Sequence, residues 1–117
     1  MTDHLAIATA YLALWNETDD DARTRALAEA WTADARYADP LMQGEGPAGI
    51  SAMIAAARAH FPGHRFELSG TPDGHGPFTR FSWALVSPAG DTVARGMDLA
   101  RLDAAGRVTE VLGFLEG

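Results

Sequence analysis

The period of the apolar residues changes once along this chain, at Pro62-Gly63, from three- and four-residue spacing to alternation by two. Before that point the pattern predicts helices and after it strands, because helix and strand side chains return to one face every 3.6 and 2 residues. Helices first and a strand meander after them is an α+β arrangement. Nearly half of the 117 residues are apolar and 21% are charged. That balance suits one globular domain spanning 1–117 rather than a disordered chain.

Leu5, Ala8, Leu12 and Trp15, flanked by Ile7, Tyr11 and Leu14, predict a buried helix from Asp3 to Asn16. A second helix follows, capped by Thr18, with acids in its first turn and an inner face of Leu27, Ala30 and Trp31. Ala35 to Asp39 alternates as a short strand and stops at Pro40, which holds Asp39 extended. Leu41 to Gly46 is expected to be a loop. Pro47 opens a third helix with an Ile50, Met53, Ile54, Ala57 and Phe61 stripe.

Beyond Gly63, Phe66 and Leu68 mark a strand, and Thr71 to Pro77 has turn chemistry. Phe81, Trp83 and Leu85 share one face of the next strand, and Ser87 to Asp91 turns it back. Strands at Thr92–Leu102 and Arg107–Leu115 flank a hairpin loop at Asp103–Gly106.

On the Thr92–Leu102 strand, Ala94, Gly96, Asp98, Ala100 and Leu102 fall on one face, and Asp98 is its only charge. Small apolar neighbours around one carboxyl suggest a concave surface, where burial would raise its pKa and let it donate a hydrogen bond. An edge-strand charge directed at water is the competing reading. Asp39, at a strand end before Pro40, is placed to act as a base at a cavity mouth, or simply to form an Asp-Pro turn. Tyr11 borders the apolar stripe of the first helix, so its hydroxyl needs a partner, catalytic or structural. Trp15 and Trp31, together with Ala100, are candidates to line a substrate pocket. Core packing is the alternative for the tryptophans, Trp83 included.

Other patterns fail on context. Gly44-Glu45-Gly46-Pro47-Ala48-Gly49 matches a dinucleotide-binding fingerprint, but Pro47 removes a needed amide and no further βα units follow. His60 and His64 are separated by the helix-breaking Pro62-Gly63, His75 lies in a Gly-rich turn, and there is no cysteine, so neither metal nor cofactor is expected. The net charge is −7 and the nine basic residues, all arginine, are scattered, which argues against a nucleic-acid partner. Arg80 and Arg95 are expected to be solvated or paired on the sheet. No apolar run reaches the roughly 18 residues of a membrane span, and no basic leader opens the chain, so a cytoplasmic location is expected. Val93, Met97, Val111 and Leu115 are expected on an exposed sheet face that a second copy would cover.

The element order, with Tyr11-Leu12-Ala13-Leu14-Trp15-Asn16, Tyr37-Ala38-Asp39-Pro40 and Met97-Asp98, resembles the NTF2-like superfamily, in particular SnoaL-like proteins and ketosteroid isomerase. The resemblance implies a cone of three N-terminal helices on a curved, mainly antiparallel sheet, and a homodimer. It implies Asp39 as general base, with Tyr11 and Asp98 as donors to an enolate, roles known from ketosteroid isomerase. The ligand would be a small apolar carbonyl compound, and the reaction an isomerisation or a polyketide-cyclase-like closure. A non-catalytic binding or association domain is the alternative on the same fold. Ala100 stands where the isomerase has an aromatic residue, and Arg80 is followed by Ser82 rather than the Asp of an epoxide hydrolase pattern.

Overall fold

The computed structural model describes residues 2–116. Three helices, α1 (His4–Asn16), α2 (Asp20–Ala30) and α3 (Gly46–Ala59), pack on one face of a curved six-stranded sheet. Its strands are β1 (Trp31–Ala38), β2 (Gln43–Glu45), β3 (Arg65–His75), β4 (Phe78–Val86), β5 (Thr92–Leu102) and β6 (Val108–Leu115). They run in the order β2-β1-β6-β5-β4-β3. Every neighbouring pair is antiparallel except β1 and β6, which are parallel. The α+β expectation holds, and the parallel seam is what brings the early strand that ends beside Asp39 against the last one.

Local chemistry sets most boundaries. Asp3 caps α1 by accepting from the Ala6 amide at 3.0 Å. α2 is capped by Asp19, which accepts from Ala22 N at 2.7 Å, and not by Thr18 as its position suggested. Its predicted inner face also changes. Ala30 is exposed, and Trp31 leaves the helix to open β1 with no intervening loop, its ring entering the core. The buried positions of α2 are Leu27 and Arg23, the latter 1% exposed. Arg23 is held by the Glu17 carbonyl, the Asp20 carboxylate and Ser51, so a cation cements α2 to α3 where an apolar residue was expected.

Two expected irregular segments are strand. Gln43–Glu45 pairs with β1 from within the predicted loop, and Thr71–His75 extends β3 where a turn was expected. The turn shrinks to Gly76-Pro77. β3 lies at the edge of the sheet, where Pro72 can sit without a backbone donor. The registry shift between Ser69 and Asp73, with Gly70 at φ 72°, bends the strand and absorbs the mismatch. Phe61 falls beyond the end of α3 and is 42% exposed rather than part of a buried stripe.

The exposed sheet face also differs from expectation. Val111 is fully buried in the core, and Leu115 shares its side of β6, toward the helices. Leu112 and Phe114 are exposed on the opposite side, and Leu115 and Val93 are exposed as expected. Met97 pairs with Phe114 and Leu99 with Leu112, so these side chains make one apolar outer patch. Arg80 is paired with Asp73 at 2.7 Å on the surface. No helix among the described residues is long and apolar enough to cross a membrane.

Candidate functional site

Between the helices and the inner face of the sheet lies a cavity of about 150 Å³. An engineered apolar cavity of similar volume accepts a benzene-sized guest. Its walls are mostly apolar, with Leu12 and Trp15 of α1, Phe66 of β3, Trp83 and Leu85 of β4 and Ala94 of β5 among them. Its mouth is edged by Leu41, Phe61 and Leu115, which are exposed.

Four of the polar groups in this space form two pairs. The Tyr11 hydroxyl donates to Asp98 Oδ2 at 2.6 Å, and the Tyr37 hydroxyl donates to Asp39 Oδ2 at 2.6 Å. All four residues line the cavity. The Tyr11 ring is fixed from behind by stacking on Trp31, with centroids 6.0 Å apart, and by a tilted contact with Phe81 at 4.9 Å. Asp39 is fixed by its own turn, because Oδ1 accepts from the Leu41 and Met42 amides at 2.7 and 2.9 Å. The aspartate before Pro40 is thus both a turn former and a cavity residue, and the two readings of it are compatible.

Gly113 sets the distance between the pairs. It faces Asp98 across the β5–β6 ladder. A Cβ placed on it would lie 2.8 Å from Asp98 Oδ1, 3.0 Å from Asp39 Cβ and 3.2 Å from Tyr37 Oη. No side chain fits there. A missing methyl group therefore lets a strand backbone pass between two acid–tyrosine pairs, and neither Gly113 nor Tyr37 stood out in the sequence as a functional residue. The Tyr37-Ala38-Asp39 alternation, which puts both residues on one face, was the one available signal.

Asp98 is 3% exposed, so the strand face it occupies is a buried one. Burial pushes its carboxyl up to about 6, against the opposing influence of the Tyr11 hydroxyl and the Trp83 indole, while the charge of Asp39 adds to the rise. Its Oδ1 is buried without a hydrogen-bond partner among the described residues. Burial and the neighbouring Asp98 hold both tyrosine hydroxyls well above the usual phenol range, so they act as donors and not as phenolates.

Of the three tryptophans, Trp15 and Trp83 line the cavity, whereas Trp31 lies behind Tyr11. Ala100 is 1% exposed and packs in the core, outside the residues that line the cavity. Tyr11, Asp39, Asp98 and Trp15 are therefore brought together, and Trp31 and Ala100 are not.

The chain has relatives. The SnoaL-like domain profile matches residues 8–111 of the chain. The chain belongs to the SnoaL-like family. It is 60% identical, with a TM-score of 0.96 over 100% of both chains, to a SnoaL-like family protein from Agrobacterium tumefaciens that is provisionally assigned as an isomerase. More distant SnoaL-like and related structures share the fold alone. One is a provisionally assigned SnoaL-like polyketide cyclase from a Jannaschia species, at 20% identity and TM-score 0.71 over 93% of this chain and 84% of that one. Another is a protein of ketosteroid isomerase-like fold from Catenulispora acidiphila, at 18% identity and TM-score 0.73 over 92% and 82%. No curated protein matches the sequence.

Proposed function

We propose that the chain is a cofactor-independent proton-transfer enzyme that removes a proton next to the carbonyl of a small, largely apolar compound, in the manner of an isomerase or cyclase. The observation that carries this reading is the pairing of a fixed carboxylate, Asp39, with a buried carboxyl, Asp98, whose Oδ1 lacks a partner, across a gap kept open by Gly113 in an apolar cavity. Asp39 takes the proton. The developing oxyanion is met by Asp98, protonated on Oδ1, and by the Tyr11 hydroxyl once it rotates from Asp98 to the same oxygen. Tyr37 holds the base in place through Oδ2. The provisional isomerase assignment of the 60% identical relative is consistent with this chemistry. A cavity of benzene-guest size favours a ring or short-chain ketone over a steroid.

Protonated Asp98 is the working form, so activity should be lost as pH rises. With its carboxyl near 6, about a tenth of the free protein carries that proton at pH 7. Exchange of the ring protons of cyclohexanone into D2O, followed by NMR, should show kcat/KM falling above a pH of about 6, while kcat holds to higher pH because a bound ligand desolvates Asp98 further. No protein-dependent exchange with any of several ring ketones, or exchange undiminished at pH 8, would sink the proposal.

A second reading, a non-catalytic binding domain, is favoured by the bonding of Asp39: the Tyr37 hydroxyl and the Leu41 and Met42 amides already take three of the roughly four acceptor sites of its carboxylate. Under it, replacing Asp39 by Asn would leave ligand affinity largely intact and no turnover to lose.

We also propose a homodimer formed through the outer patch of Met97, Leu99, Leu112 and Phe114, an apolar sheet face of the kind that marks an association surface. Light scattering should give twice the chain mass, reduced to the monomer by Phe114→Glu. A monomer mass for the unaltered chain across micromolar concentrations would rule this out.

A further inference from the structure

One cation belongs to the cavity wall. Arg58, near the end of α3, lines it, and no other arginine does. The remaining cations are engaged or held elsewhere: Arg23 with Asp20, Arg65 with Glu67 and Arg80 with Asp73 by ion pairs, the rest off the cavity. Arg58 has no carboxylate partner among the described residues. Its single hydrogen bond runs from Nη1 to the Trp15 carbonyl at 2.8 Å, which leaves Nε and Nη2 uncommitted. In a chain of net charge −7, a half-buried guanidinium with two open donors against an apolar wall is out of keeping with its surroundings.

Its position relative to the acid–tyrosine pairs is set by α1. Trp15 follows Tyr11 by four residues, about 6 Å along the helix axis, and both side chains line the cavity. The guanidinium, anchored on the Trp15 carbonyl, therefore lies beyond Tyr11 in the C-terminal direction of α1, and Phe61 and His64, which follow Arg58 in the chain, line the same cavity. His64, whose Nδ1 lies 3.0 Å from the Pro62 carbonyl, presents a second polar edge there.

We infer that Arg58 is an anion-binding residue, and that the substrate is an amphipathic acid with its reacting carbonyl between Asp98 and Asp39 and a carboxylate, or a similar anionic group, beyond its apolar portion against Arg58. This rests on the proton-transfer reading of the inner end of the cavity and adds the chemistry of the outer end. A guanidinium offers two parallel donors to a carboxylate, and an apolar wall strengthens the pair by limiting solvent screening. The charge also fixes orientation, since an acid bound the other way round would bury its carboxylate beside Asp98, another carboxyl.

Three phenols separate the two ends, because a phenolic hydroxyl stands in for the enol oxygen. They are 4-ethylphenol, 3-(4-hydroxyphenyl)propanamide and 3-(4-hydroxyphenyl)propionate, titrated calorimetrically at pH 6. The propionate should bind about tenfold more tightly than the amide, the scale of one added charge-assisted hydrogen-bonded contact. Raising the salt to 0.5 M should erode that ratio. In Arg58→Gln, which is uncharged and two bonds too short to replace Nη1 at the Trp15 carbonyl, the ratio should fall to about one. The wild-type ratio and its salt dependence stand alone if this variant folds poorly. Binding of 4-ethylphenol with no preference for the propionate, or a preference that survives Arg58→Gln, would overturn the assignment of Arg58 and leave the inner site untouched. Failure of all three to bind would remove both readings.

Discussion

Asp39→Asn should lower kcat/KM for α-proton exchange by about two to four orders of magnitude, the usual worth of a positioned general base. The substitution is nearly isosteric, so the cavity should keep its shape. The amide oxygen can still accept from Leu41 N and Met42 N, which hold the native carboxylate at 2.7 and 2.9 Å. What is lost is the ability to take a proton; the NH2 group then faces the Tyr37 hydroxyl, which accepts where it had donated. Binding of 4-ethylphenol, which needs no base, should change by much less than turnover. Retention of full exchange activity by this variant would place the base elsewhere, and equal loss of binding and turnover would point to a collapsed cavity.

Asp98→Asn should have the opposite consequence for stability. The carboxyl titrates near 6 in the folded chain and near 3.8 when unfolded, so the folded state holds the proton more tightly. Its favourable contribution is complete below about pH 4 and disappears as pH rises through 6, after which an ionised group remains in an apolar wall. Asparagine never ionises. At pH 8 the variant should therefore be more stable than the unaltered protein by on the order of 2 kcal/mol, or several degrees in Tm, and the advantage should close toward pH 4. The fall of kcat/KM above pH 6 should vanish with it, at a lower absolute rate, because an amide is a weaker donor than a carboxylic acid. Melting curves at pH 4, 6 and 8 check the first claim. A stability difference independent of pH would mean that Asp98 does not titrate in this range. A site whose removal stabilises the fold is one where function and stability pull apart.

Much of this was legible before any coordinates. The bounds of β5 coincide with the predicted Thr92–Leu102 strand, and the isolation of Asp98 among Ala94, Gly96 and Ala100 correctly indicated a buried face. That reading needed only the two-residue period. What the sequence withheld depends on contacts between distant segments. Gly113 looks like any strand glycine until β6 is seen to pass between Asp98 and Asp39. Trp31 and Trp83 exchanged places as wall and backing because periodicity says which face is buried, not whether a cavity or a packed core lies over it. Ala100, on the same face as Asp98, meets core rather than cavity for the same reason. Arg23 was overlooked since arginines are rarely buried, and its partners, the Glu17 carbonyl and Ser51, are set by how α2 meets α3.

The parallel seam between β1 and β6 joins residues some 75 positions apart, among them Tyr37 with Val111 and Ala38 with Leu112. Contacts of that span are slow to form, because loop-closure entropy is lost before any pairing energy returns. Asp39 follows β1, Asp98 lies on β5, and the strand between them is β6. The two carboxyls therefore reach the separation seen here only once β6 has docked between them, and a chain that holds its helices and hairpins without that seam has no cavity of this shape in which the proposed proton transfer could occur.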